Sequence, residues 1–183
     1  MLNLPAKKII RRYPPTLLLY DSCILQNLCG KMRSGIEPFL TEIQSQTSPR
    51  ISDYTVYELL RGANKKTEQE MRGVLNKITR FGVSTKVLVL SSLLYTLYQE
   101  ERVDSGISDG DKILAATSIL TQAPIMTQNG RHFPRPFFDE MEINFCRKTI
   151  IEYGSKQRQR DTSIVYFLEP DYSVINEKIT KRK

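Results

Sequence analysis

The sequence predicts an α/β fold built on a mostly parallel sheet, and three observations carry that expectation. Leu17-Leu18-Leu19-Tyr20 is continuously apolar and ends at Asp21, which suits a strand covered on both faces, as parallel strands are. Strand-like and helix-like segments then alternate at the spacing of βαβ units. A chain of 183 residues that is 40% hydrophobic can also bury one sizeable core and still carry an appendage.

Taken in order, the residues before Pro14-Pro15 form a short basic arm with Lys7-Lys8 and Arg11-Arg12 around Ile9-Ile10. The strand over residues 16–20 follows. Ile24, Leu25, Leu28 and Met32 recur at helical spacing between Ser22 and Arg33, and a second helix is expected from Ile36 to Gln46. Arg50-Ile51-Ser52 reads as a short strand, and Asp53 as the N-cap of a helix that Gly62 stops. Lys66 to Phe81 has the pattern of a charged amphipathic helix. Val83 to Leu90 is strand-like, with Ser91-Ser92 placed to cap a helix running to Glu101. The acidic loop Asp104–Asp111 leads into an alanine-rich helix, Ile113 to Thr121. Pro124 to Thr127 is a short strand, and Gln128-Asn129-Gly130 is a turn signal.

After Phe133 the texture changes. Pro134 and Pro136 interrupt the chain, and two β-rich stretches, Lys148–Tyr153 and Ser163–Leu168, flank the basic segment Gly154–Asp161. They predict a β-hairpin extension over residues 135–183, with a frayed basic tail from Lys178. Lys156, Arg158 and Arg160 stand at alternate positions of the basic loop, so an extended backbone places them on one side, where they would meet an RNA backbone. A solvated loop that protects an edge strand fits the same residues.

Composition excludes several chemistries. The single histidine, His132, rules out paired-histidine acid–base catalysis. Cys23, Cys29 and Cys146 include no C-x-x-C pair, so no zinc site of ordinary spacing and no disulfide framework is expected. Phosphate-binding glycine loops and the Gly-x-Ser-x-Gly elbow are absent. No apolar run approaches the roughly 18 residues of a membrane span, and Met1–Arg12 lacks the apolar stretch of a secretion signal, so a cytoplasmic location is expected. The net charge of +7 favours a polyanionic partner.

What remains is a set of polar residues at the ends of elements. Asp21 closes the first strand, where open α/β sheets place ligands. Glu58 shares a helix face with Tyr54 and Arg61. Asp111 sits in the first turn of its helix, and Asn129 follows a strand. Acids gathered in a basic protein suit Mg²⁺ or Mn²⁺, hard ions that take carboxylate oxygens and substrate phosphate. Each residue has a plainer role open to it. Asp21 and Asp111 can serve helix N-termini, Glu58 can pair with Arg61, and Asn129 can be a left-handed turn residue.

Four blocks of this sequence resemble the PIN-domain family of metal-dependent ribonucleases, especially the VapC-like toxins of toxin–antitoxin pairs. They are Leu17-Leu18-Leu19-Tyr20-Asp21-Ser22, the stretch Ile51–Gly62 bearing Glu58-Leu59, Asp111-Lys112-Ile113-Leu114-Ala115-Ala116-Thr117, and Thr127-Gln128-Asn129-Gly130-Arg131-His132-Phe133. His132 departs from the pattern, which has an acid there. The resemblance implies a three-layer α/β/α sandwich over residues 16–134 with a basic arm (1–15) before it and an extension (135–183) after it. It implies a metal-dependent endoribonuclease in which Asp21, Glu58 and Asp111 hold Mg²⁺ or Mn²⁺ and Asn129 completes the site. RNA is the implied substrate, and a small antitoxin and a second copy of the chain are the implied partners. Two rivals stay open: a non-catalytic PIN-like RNA-binding or protein-interaction module, and a PIN nuclease of RNA processing.

Overall fold

A computed structural model of the chain describes residues 17–28, 37–61, 63–143, 149–153, 156–160 and 165–182. The basic arm, Cys29, Gly62 and Cys146 fall outside these residues.

The first strand, β1 (Leu17–Tyr20), runs into α1 (Ser22–Leu28) and α2 (Glu37–Gln46). Next come β2 (Ser48–Ser52), α3 (Asp53–Arg61), α4 (Lys65–Leu75) and β3 (Thr79–Phe81). Two long helices follow, α5 (Thr85–Glu100) and α6 (Asp109–Thr121), then β4 (Ile125–Thr127) and a one-turn 3-10 helix, Gly130–His132. The C-terminal part contributes β5 (Phe138–Ile143), β6 (Thr149–Tyr153), β7 (Lys156–Arg160), β8 (Val165–Pro170) and α7 (Tyr172–Thr180).

Six strands form one sheet in the order β3-β2-β1-β4-β8-β5. The first four are mutually parallel, and β8 and β5 extend the sheet antiparallel. The period-two alternation of β1 divides its side chains between two cores. Leu19 joins one face with Leu90, Leu94 and Leu97 of α5 and Ile113, Ala116 and Ile119 of α6. Leu18 and Tyr20 join the other with Ile24, Val56, Leu59, Met71 and Leu75 from α1, α3 and α4. Helices therefore cover both faces, the three-layer arrangement the resemblance implies.

Several local expectations are corrected. Val83–Leu90 is not a strand: Ser84 caps α5 by accepting a bond from the Val87 N–H at 3.4 Å. Val87, Leu90, Leu94 and Leu97 then bury at helical spacing, which outweighs the β preference of the valines. Ser91 lies inside that helix instead of capping it. The Lys66–Phe81 helix stops at Asn76, and Thr79–Phe81 is the exposed edge strand, whose polar residues read as a helix surface. The appended hairpin is also differently made. β6 pairs antiparallel with β7, so the expected basic loop is a strand, while β8 enters the main sheet between β4 and β5. The side chains of Lys156, Arg158 and Arg160 lie outside the description. The tail does not fray at Lys178: α7 runs to Thr180, and Lys178 and Arg182 pair with Glu101 and Glu100 at the end of α5.

The loop before α6 is tied down by a buried lysine. Lys112 Nζ lies 2.9 Å from Asp104 Oδ1 and donates to the Ile107 carbonyl at 2.8 Å. That contact fixes the turn that presents Asp111. Among the described residues no helix is long and apolar enough to cross a membrane.

Candidate active site

Parallel pairing of β1 with β4 sets Tyr20 beside Met126, so the residues that follow, Asp21 and Thr127, meet at the carboxyl edge of the sheet. Asp21 is 5% exposed and both its oxygens are engaged. Oδ1 accepts from the Ser22 N–H and hydroxyl, and Oδ2 accepts from the Thr127 hydroxyl at 2.6 Å and the Cys23 thiol at 3.2 Å. The Asn129 N–H donates to Thr127 Oγ1 at 2.9 Å, completing a chain from the β4 turn to Asp21. These bonds orient the carboxylate toward Thr127 as well as toward its own helix. Cys23 is a donor in that network, and burial, followed by the Asp21 charge, pushes its thiol pKa far up.

Glu58 enters from α3, whose start is fixed by the Ser52 hydroxyl accepting from the Tyr54 N–H at 3.2 Å. Ser52 performs the capping expected of Asp53. The Glu58 carboxyl is half-buried, and its pKa rises to about 7 through burial first, then the charges of Asp21 and Asp111, against a smaller opposing effect of Arg61. Among the described residues Arg61 makes no ion pair with Glu58; its guanidinium lies over the Tyr57 ring, 5.8 Å from the centroid. Glu58 also rests on α6, because a Cβ on Gly110 would stand 2.6 Å from Glu58 Oε1 and 2.5 Å from Tyr54 Cε1.

Asp111 has the structural role that was open to it. Ser108 is the N-cap, Asp111 N–H donates to the Ser108 hydroxyl at 3.1 Å, and Asp111 Oδ2 accepts from the Ser108 N–H at 2.9 Å and hydroxyl at 2.7 Å. This is a capping box with Asp in place of Glu. His132 Nδ1 lies 3.2 Å from the same oxygen. Asn129 is exposed, with φ −113°, so it is not a left-handed turn residue.

The four sequence-predicted residues thus occupy one end of the sheet, with Asp21 and Asp111 both acting on Glu58. Their oxygen donors match the chemistry of Mg²⁺ or Mn²⁺, and burial first, with the charges of Asp21 and Asp111 second, disfavours the Glu58 carboxylate while no cation is bound. As the side chains stand, no three acidic, histidine or cysteine groups among the described residues close around a common point. Thr127, Ser108 and Gly110 are site residues that sequence reasoning did not single out.

No family model and no curated protein matches this sequence. Solved structures do match. A toxin–antitoxin complex from Klebsiella pneumoniae is 25% identical with a TM-score of 0.51, over 65% of this chain and 92% of that one. VapBC2 from Rickettsia felis, bound to a DNA fragment from its promoter, is 18% identical with a TM-score of 0.54, over 62% and 89%. VapBC-1 from nontypeable Haemophilus influenzae is 18% identical with a TM-score of 0.52, over 63% and 89%. The fold is therefore PIN-like α/β, shared with chains of these toxin–antitoxin complexes.

Proposed function

We propose that this chain is a metal-dependent endoribonuclease that hydrolyses RNA phosphodiester bonds in the cytoplasm, as the toxin of a toxin–antitoxin pair. The observation that supports the reading is that Asp21, Glu58 and Asp111 share the carboxyl end of a PIN-like sheet, where burial and then the charges of Asp21 and Asp111 raise the Glu58 pKa to about 7. Asp21, Glu58 and Asp111 would hold Mg²⁺ or Mn²⁺, with Asn129 at the rim. Such an ion polarises a phosphodiester and lowers the pKa of water. The chain's own residues prepare the place. Thr127 and Ser22 fix Asp21, Ser108 fixes Asp111, and the Gly110 backbone lets Glu58 lie against α6.

The likeness to toxin–antitoxin complexes supports a small antitoxin as partner. The exposed apolar residues Leu88, Val89 and Tyr95 on α5 support pairing with a second copy. The non-catalytic module is favoured by one observation, that no three potential ligands close around a point among the described residues. Purified protein with Mn²⁺ decides between them. RNA cleavage that excess EDTA abolishes, and that Asp111→Asn lacks, is expected. Cleavage that persists in EDTA, or in Asp111→Asn, refutes the metal-nuclease reading.

A further inference from the structure

The Asp111 carboxylate is held on one oxygen. Oδ2 accepts both bonds from Ser108 and lies 3.2 Å from His132 Nδ1, while Oδ1 carries none of these contacts. The two Ser108 bonds arise within the first turn of α6 and travel with that helix. His132 comes from elsewhere in the fold, the 3-10 turn after β4. It therefore ties the carboxylate to the sheet. A carboxylate neighbour favours the imidazole tautomer with its proton on Nδ1.

The turn that carries His132 is itself seated. Its first residue, Gly130, is pressed on the Tyr166 ring of β8, where an added Cβ would meet ring carbons at 2.9 to 3.1 Å. Tyr166 is in register with Thr127 across the β4–β8 pair, and Phe133, immediately after the turn, is buried in the core. His132 and Asp111 side chains are 20% and 13% exposed, so little solvent competes at their contact.

We propose that His132 is a positioning residue for Asp111, and that β8 sets its height through Tyr166 and Gly130. With Oδ2 held by Ser108 and His132, Oδ1 is the oxygen left to face a hard cation. The C-terminal strand thereby becomes part of the site's support. The proposal rests on the reading of Asp111 as a metal ligand.

The test is Mn²⁺ affinity by calorimetry on the full chain without RNA, with thermal melting as a check on folding. Outer partners of metal ligands typically contribute 10- to 100-fold in affinity. His132→Phe should lose affinity in about that range. His132→Asn, whose amide N–H falls near the Nδ1 position, should recover most of it, whereas His132→Gln, which reaches farther, should not. Gly130→Ala should weaken Mn²⁺ binding in the same direction by displacing the turn from Tyr166. Wild-type affinity in a folded His132→Phe variant, or equal losses in His132→Asn and His132→Phe, overturns the positioning role alone. An undiminished affinity in Asp111→Asn overturns the ligand reading, and the positioning role with it.

Discussion

Replacing Gly110 by alanine separates site geometry from stability. Gly110 is the second residue of α6, and a Cβ there would lie 2.6 Å from Glu58 Oε1 and 2.5 Å from Tyr54 Cε1, where ordinary contact begins at 3.4 Å. Both obstacles are ends of side chains, so they yield at modest cost. Glu58 Oε1 must retreat by about 0.8 Å to restore contact, and misplacement on the order of 1 Å costs up to about 100-fold in rate. Crowding of this kind destabilises by about 1–3 kcal/mol, against which alanine gains about 1 kcal/mol over glycine within a helix. Net loss should be about 0–2 kcal/mol. Gly73 in α4 is the control, since a Cβ there meets nothing within 4 Å. Gly73→Ala should gain about 1 kcal/mol with unchanged activity. Urea unfolding and single-turnover RNA cleavage measure the two effects. If Gly110→Ala cleaves RNA as fast as Gly73→Ala, Glu58 does not depend on that contact.

Two further outcomes follow from the same site and from the C-terminal strands. Glu58 titrates near 7 when folded against an ordinary 4.5, so the stability tied to its proton is complete below about pH 4.5 and is lost as pH rises through 7. Full linkage over that gap is about 3 kcal/mol, reduced to roughly 1–2 kcal/mol because the carboxyl is half open to solvent. In EDTA, Glu58→Gln should therefore lose less stability than wild type between pH 5 and pH 8, and parallel losses in urea unfolding would count against the shift. Changing Lys156, Arg158 and Arg160 together to glutamine should weaken RNA binding and flatten the log–log salt dependence by up to about 2, at 0.7 per phosphate on a single strand. An unchanged slope assigns β7 to folding or assembly.

What could be read in the sequence was whatever local pattern determines. The apolar run of β1 ending at Asp21, the alanine-rich face behind Asp111 and the turn at Asn129 are all set by residues near one another in the chain. Tyr54, Glu58 and Arg61 share one side of α3 by simple helical spacing. Val83–Leu90 misled because valine favours strands, while the decisive quantity was burial of Val87 and Leu90 against the sheet, which no local window contains. Thr127, Ser108 and Gly110 were passed over for a related reason. A hydroxyl that anchors a carboxylate 106 residues away, or a glycine that gives room to a side chain of another helix, has no signature of its own. The placement of the acids was legible; the residues that aim them belong to the packing.

Two strands of the C-terminal part, β5 and β8, belong to the main sheet. Similar solved structures align with 62–65% of this chain, and the sequence suggested that residues 135–183 were an appendage. Yet β8 lies directly beside β4, with Ile125, Met126 and Thr127 paired to Leu168, Phe167 and Tyr166. Phe167 packs into one core and Leu168 into the other. An uncovered β4 would be an edge strand with its polar groups open to water. Covered, it leaves Thr127 with no exposed surface, so its bond to Asp21 forms where water does not compete and the local dielectric is low. Removing β8 would therefore loosen Asp21 through Thr127 at the edge of the site, without touching any of the acids.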